Sequence, residues 1–281
     1  MLMCMAFPLL AAPQNDAARA LHLLGYIGAD YPQTVAAGKV IDESEYREQQ
    51  EFLLILQGVL VNLPAKPERA GLEQELQQLD EAINQRQDGA QVARQARIIA
   101  AELSELYQVK QTPAITPDPA RGAPLFAEQC SVCHGASGAG DGPAAIGMQP
   151  APSNLRDQTR LDRLSLYDIY NTIGLGVDGT DMTGFADQLD ERQRWDLASY
   201  IASLNTPPVN GGEEFSLAAL ASKTPAEIAS SQGAADAARF RAQRAHPPQP
   251  KRSAQQYIEH TREMLGTSLR AYQAGHTNNA Y

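Results

Sequence analysis

The chain has 281 residues, of which 43% are hydrophobic and 20% are charged, a composition typical of a globular protein. That length favours roughly two domains. The net charge of −10 and the isoelectric point of about 5.0 argue against a nucleic-acid-binding protein, because a phosphate backbone requires a basic surface.

The N-terminal stretch MLMCMAFPLLAA is apolar and uncharged, and it ends in the small residues Ala11 and Ala12. These features predict a signal peptide over residues 1–14, which would be removed together with Cys4. A buried N-terminal segment is the alternative. No other run reaches the ~18 apolar residues that a membrane-spanning helix needs, so the rest of the chain is expected to be soluble.

Residues 15–111 carry apolar residues at helical spacing throughout. Asp42 followed by Glu45 is a capping-box pattern at the start of the second predicted helix. Four amphipathic helices with short connections predict an antiparallel bundle, and no strand-like alternation is present, so the predicted fold class is all-α. The four apolar stripes are Leu21, Leu24 and Ile27; Phe52, Leu53, Leu56, Val59, Leu60 and Leu63; Leu72, Leu76, Leu79 and Ile83; and Val92, Ile99, Leu103 and Leu106.

A second domain is predicted over residues 112–207, which begin and end in proline-rich breaks. It contains the pentad CSVCH, with Cys130, Cys133 and His134. A zinc site would need a second ligand pair, which the chain lacks. A thioredoxin-like dithiol would need a strand before a helix, whereas the flanks here are helical. Covalent attachment of one haem c needs only two thiols three residues apart and an adjacent histidine, so we predict haem.

A haem that carries electrons normally has a second axial ligand. Met182 lies in the glycine-containing loop GTDMTGF and is the predicted distal ligand opposite His134. Met148 is closer in sequence, but its short loop would be strained in crossing the haem. Either Pro150 or Pro152 could present a carbonyl to His134 Nδ1, and the sequence does not decide between them.

Two helices are expected to flank the haem. The first runs from about Arg121 to Ser131, and the second begins at Asp190, where Gln193 completes a capping box. Their expected packing residues are Gly122 and Phe126 on the first helix and Trp195 and Tyr200 on the second.

Residues 208–281 are predicted to form a linker and a helical extension. One helix is expected from Thr224, as N-cap, to Ala245, with Pro225 at its first position. A last helix is expected from Ser253, and its shared face comprises Tyr257, Ile258, Thr261, Leu265 and Leu269.

The pentad, the placed methionine and the two helices resemble the class I cytochrome c domain. The resemblance implies thioether links at Cys130 and Cys133 and axial ligation by His134 and Met182. The order of the segments around this domain resembles the periplasmic region of bacterial iron permeases that carry a fused cytochrome c. That resemblance implies a periplasmic location and a membrane iron permease as partner, with residues 208–281 leading toward it. The permease is either on a separate chain, on a continuation of this one, or absent.

The predicted function is therefore single-electron transfer through haem, without enzymatic activity, coupled to iron oxidation or reduction during iron uptake. The electron partner would be iron itself or a redox protein. A general periplasmic electron shuttle for a dehydrogenase or oxidase is the alternative. A helical iron-binding protein with a structural haem is a further one, and its candidate ligands are His22, Asp30, Tyr31, Glu45, Glu48 and Glu51.

Overall fold

A computed structural model describes residues 13–208 and 213–249, together with scattered positions between 258 and 273. The predicted signal segment therefore lies almost entirely outside the described residues. The N-terminal part is the predicted four-helix bundle, with side-chain caps from Asp42 on Ser44 and Glu45 and from Asp88 on Ala90 and Gln91. Its helices are α1 (Pro13–Asp30), α2 (Glu43–Asn62), α3 (Arg69–Asn84) and α4 (Gly89–Tyr107).

A small hairpin between α1 and α2 departs from the prediction that no strand is present. Strands β1 (Val35–Ala36) and β2 (Lys39–Val40) pair antiparallel after a single 3₁₀ turn. Ala37 and Gly38 both have positive φ, as a two-residue hairpin turn requires. Two residues per strand are too few to produce a visible alternation, which is why the sequence pattern does not reveal the hairpin.

The middle part contains α5 (Pro119–Gln129), α6 (Ser131–His134), α7 (Gln158–Leu161), α8 (Leu166–Leu175) and α9 (Glu191–Ser203). Helix α5 ends before Cys130, about two residues earlier than predicted. The capping box of Asp190 and Gln193 is confirmed at the start of α9. Helix α8 was not predicted, although Ser165 and Asp168 form a capping box at its start.

The C-terminal part contains α10 (Leu217–Ser222), α11 (Pro225–Gln232) and α12 (Ala234–Ala245). The single helix predicted over 224–245 is wrong, because Gly233 takes a positive φ and ends α11. The N-cap of Thr224 is confirmed, with Glu227 completing a capping box. Of the last predicted helix, Ile258, Thr261, Leu265 and Leu269 are helical, while Tyr257 lies outside the described residues.

Helix α12 attaches this extension to the middle part through Arg244, whose side chain is buried. Its guanidinium donates to the carbonyls of Leu164 and Leu161 at 2.5 and 2.7 Å. The extension is thus packed onto the middle part of the chain instead of forming a free linker.

The bundle and the middle part share one hydrophobic core, in which α1 packs against α8. The more buried ion pairs between them, among the described residues, join Asp30 to Arg160 and Arg97 to Asp168. Within the part of the chain that the structure describes, no helix has the length and apolar character needed to span a bilayer.

Helices α5 and α9 cross at Gly122. A Cβ at Gly122 would lie 2.3 Å from the Asp196 carbonyl oxygen and 2.8 Å from Tyr200 Cβ. Phe126 and Tyr200 then pack with their ring centroids 5.2 Å apart. A glycine is therefore required here because the two backbones approach closely.

Gly122→Ala is expected to lower the free energy of unfolding by about 2–3 kcal/mol, because the backbone of α9 cannot yield without repacking the core. Gly58→Ala is the matched control: Gly58 is exposed on α2 and a Cβ there meets nothing within 4 Å. That change should stabilise the protein by up to about 1 kcal/mol through helix propensity. Urea denaturation measures both; equal effects of the two variants would contradict the close crossing.

Candidate haem site

The cysteine pair lies where α5 gives way to the single turn of α6. Cys130 N–H donates to the Phe126 carbonyl, and the N–H groups of Cys133 and His134 both donate to the Cys130 carbonyl. Both thiols are free of disulfide bonds. Burial raises the pKa of the Cys130 thiol to about 11. A redox dithiol needs a lowered thiol pKa, so this environment disfavours that alternative.

The imidazole of His134 is oriented by a main-chain carbonyl. Its Nδ1 lies 3.1 Å from the Ser153 oxygen. The expected partners Pro150 and Pro152 are therefore wrong as hydrogen-bond acceptors, because the loop brings the next carbonyl along the chain to the ring. Burial lowers the pKa of His134, so the ring is neutral. With Nδ1–H donating to Ser153, Nε2 carries the lone pair that a metal ligand needs.

Met182 lies in a closed loop between α8 and α9. Gly176 and Thr183 form an antiparallel bridge. Val177 N–H donates to the Met182 carbonyl at 2.9 Å, and Met182 N–H donates to Thr180 Oγ1 at 3.1 Å. The loop that carries the expected distal ligand is thus hydrogen-bonded on both sides of Met182.

One cavity of about 530 Å³ brings the predicted haem residues together. Cys130, Cys133, His134 and Met182 all line it, as does Met148. The size is within the range of cofactor sites. Its apolar walls come from Phe126, Leu155, Leu161, Leu164, Ile169, Ile173, Val177 and Ile201.

The other predicted packing residues divide between the cavity and the core. Pro150 and Pro152 line the cavity. Gly122, Tyr200 and Trp195 lie behind it; Trp195 is 2% exposed and stacks on Tyr170 with ring centroids 4.5 Å apart. These last three residues support the wall instead of forming it.

The donor set fits haem c. Two free thiols, a neutral imidazole held through Nδ1 and a thioether face one apolar cavity. These are the groups that covalent attachment and histidine–methionine ligation require.

The bundle supplies one side of this cavity, which sequence reasoning did not foresee. Tyr26, Asp30, Glu45 and Glu48 line it together with Arg160 of the middle part. Arg160 Nε donates to Asp30 Oδ1 at 2.8 Å, and its guanidinium lies over the Tyr26 ring. No motif spacing reveals this arrangement, because it depends on how α1 and α2 pack against a separate domain.

Of the bundle residues considered as iron ligands, Asp30, Glu45 and Glu48 are therefore at the cavity. His22 lies in a separate small cavity, and the Tyr31 hydroxyl donates to the Gln87 carbonyl. Among the described residues, no group of three or more His, Cys, Asp or Glu side chains is arranged to hold a metal ion.

Glu48 makes the stability of the fold depend on pH. Burial, with Glu45 and Asp30 nearby, raises the pKa of Glu48 from 4.5 to about 7. A carboxyl with a raised folded-state pKa stabilises the fold below the unfolded-state value, and that contribution is lost as the pH rises through the folded-state value. Stability from Glu48 is therefore lost between about pH 4.5 and pH 7.

Glu48→Gln is expected to remove this loss and to raise the free energy of unfolding by about 1–2 kcal/mol at about pH 8, after allowance for partial solvent screening. Chemical denaturation at a series of pH values measures it. Glu105→Gln, an exposed change on α4, should leave the pH profile unaltered. If the stability of Glu48→Gln changed with pH in the same way as that of the original protein, the raised pKa could not belong to Glu48.

Comparison with known families confirms that the chain contains a cytochrome c domain and a bundle of the kind associated with iron permeases. Residues 119–205 match the cytochrome c family. Residues 10–110 match the iron permease-associated 4-helix bundle domain. The combination is the one expected from the resemblance to iron permeases with a fused cytochrome c, and a cytochrome c domain implies covalently bound haem c.

Among solved structures, a chain of the Kuenenia stuttgartiensis reducing HAO-like protein complex is similar at 25% sequence identity. The match covers 42% of this chain and 60% of that chain, with a TM-score of 0.30. A comparison with curated proteins finds no match.

Proposed function

Because the chain joins a cytochrome c domain to an iron permease-associated bundle, we propose that it transfers single electrons during iron uptake. One haem c would accept or deliver the electron as iron is oxidised or reduced before import. The observation that carries the proposal is the shared cavity, whose walls hold both the haem-ligand set and the carboxylates of the bundle.

The chain's own residues hold and tune the cofactor. Cys130 and Cys133 would form its thioether links, and His134 and Met182 would bind its iron. Haem c, when bound, supplies a one-electron couple. Ser153 keeps the His134 ring in the tautomer that leaves Nε2 available, and apolar side chains form much of the surrounding wall. No side chain has to act as acid, base or nucleophile.

The acidic bundle suits iron as the reaction partner. Asp30, Asp42, Glu45 and Glu48 line the cavity, and among the described lining residues Arg160 is the one cationic side chain. Negative charge lining a cleft raises the local concentration of cations and their rate of approach. This side of the protein would therefore attract ferrous or ferric ions toward the haem. We place the protein in the periplasm, working with a membrane iron permease.

Met182→Ala is expected to abolish the methionine–iron charge-transfer band in the visible spectrum, because the distal ligand is lost. Met148→Ala is the matched control, since Met148 lines the same cavity. That variant should retain the band. Loss of the band in Met148→Ala and its retention in Met182→Ala would reverse the assignment.

Stopped-flow mixing of oxidised protein with ferrous ion, and of reduced protein with a ferric chelate, should show electron exchange in at least one direction. The variant Glu45→Gln/Glu48→Gln should slow the ferrous reaction about ten-fold, because the local attraction of cations is weakened. Its reaction with a neutral hydroquinone should be unchanged.

Two results would contradict this function. No exchange with either iron species, while hydroquinone still reduces the protein, would favour the general electron shuttle. Equal slowing of iron and hydroquinone in the glutamine variant would show that the bundle carboxylates act on the haem and not on the approach of iron.

A further inference from the structure

The peptide group between Gly176 and Val177 connects the bundle to the loop of Met182. Its carbonyl oxygen lies 2.9 Å from Nε2 of His22, on helix α1. Its N–H donates to the Met182 carbonyl, also at 2.9 Å. Because a peptide group is planar and rigid, a hydrogen bond that fixes its oxygen also fixes the direction of its N–H.

His22 is built to donate to this carbonyl. The side chain is only 7% exposed, and burial lowers its pKa, so the ring is neutral. A neutral imidazole carries one N–H, and the carbonyl acceptor places it on Nε2. The Tyr26 ring packs edge-on against the imidazole with centroids 4.9 Å apart. Nδ1 has no partner among the described residues, so the Gly176 carbonyl is the contact that orients the ring.

A second contact reaches the same loop but is weaker. Arg19, one turn before His22, pairs with Asp178 at 2.5 Å, and both side chains are about half exposed. Exposed ion pairs contribute little, whereas losing the donor to a buried carbonyl leaves that carbonyl unsatisfied. The hydrogen bond from His22 is therefore the contact that dominates.

We propose that His22 is a positioning residue for Met182, acting through the Gly176–Val177 peptide, so that the bundle holds the distal ligand of the cytochrome domain. This inference rests on the proposed assignment of Met182 as distal ligand. It gives the bundle a role in the haem site that does not depend on iron binding.

Two amide variants test whether the length of the side chain at position 22, and not only its polarity, matters for the contact with Gly176. In His22→Gln the side-chain amide extends about as far as Nε2 and can still donate to Gly176. In His22→Asn the same amide is one methylene shorter and cannot. Asn171→Ala controls for general loosening, since Asn171 Nδ2 donates to the Ala18 carbonyl in the same α1–α8 contact but away from the loop.

Imidazole, which competes with Met182 for the iron, is the probe. His22→Asn should bind imidazole about five-fold more tightly than the original protein, the equivalent of one lost hydrogen bond. Its charge-transfer band should weaken, and the Val177 amide should exchange hydrogen faster. His22→Gln and Asn171→Ala should match the original protein in all three measurements.

Unchanged imidazole affinity and Val177 exchange in His22→Asn would overturn the inference, as would equal changes in His22→Asn and Asn171→Ala. Neither result touches the ligand assignment, which Met182→Ala tests separately. If Met182→Ala retains the band, the ligand assignment fails, while Val177 exchange still reports whether His22 holds the loop.

Discussion

The packing of α1 against α8 is the constraint on which the haem cavity depends. A Cβ at Gly25 would lie 2.6 Å from Asp168 Oδ1. The backbone of α1 therefore packs directly against the Asp168 side chain of α8. Asp168 is buried at this contact. It accepts a hydrogen bond from Ser165, the N-cap of α8, and it pairs with Arg97 of the bundle at 2.9 Å. A buried carboxylate without its partners would cost several kcal/mol, so the contact favours one relative position of bundle and cytochrome domain.

That position determines the electrostatics of the cavity. It brings Asp30 into a largely buried ion pair with Arg160. Among the described residues, Arg160 is the one cationic side chain in the cavity lining, so this pair neutralises it. Burial raises the pKa of both Glu45 and Glu48. Nearby carboxylates add to this shift, chiefly Asp30 and Asp42 for Glu45, and Glu45 and Asp30 for Glu48. The bundle therefore presents the haem cavity with negative charge that depends on pH near neutrality.

Local signals in the sequence predict the elements but not how they meet. The pentad, the caps at Asp42, Asp190 and Thr224, and the apolar stripes of the bundle each act within a few residues, and the structure confirms the caps and the four helices. The acceptor for His134, the break at Gly233 and the hairpin depend on single backbone conformations. The bundle side of the cavity depends on contacts between residues more than a hundred positions apart, for which one sequence gives no signal.

The shared cavity explains why the two domains occur in one chain. In a free-standing domain, water or a residue of that domain would have to satisfy the Gly176 carbonyl, and the loop of Met182 would be held only from within. Here His22 reaches that carbonyl from α1, and Asp30, at the end of the same helix, pairs with Arg160 in the cavity lining. One helix thus contacts both the distal loop and the charged wall. Any event that moves α1, such as docking of the bundle to a partner, would act on both at once.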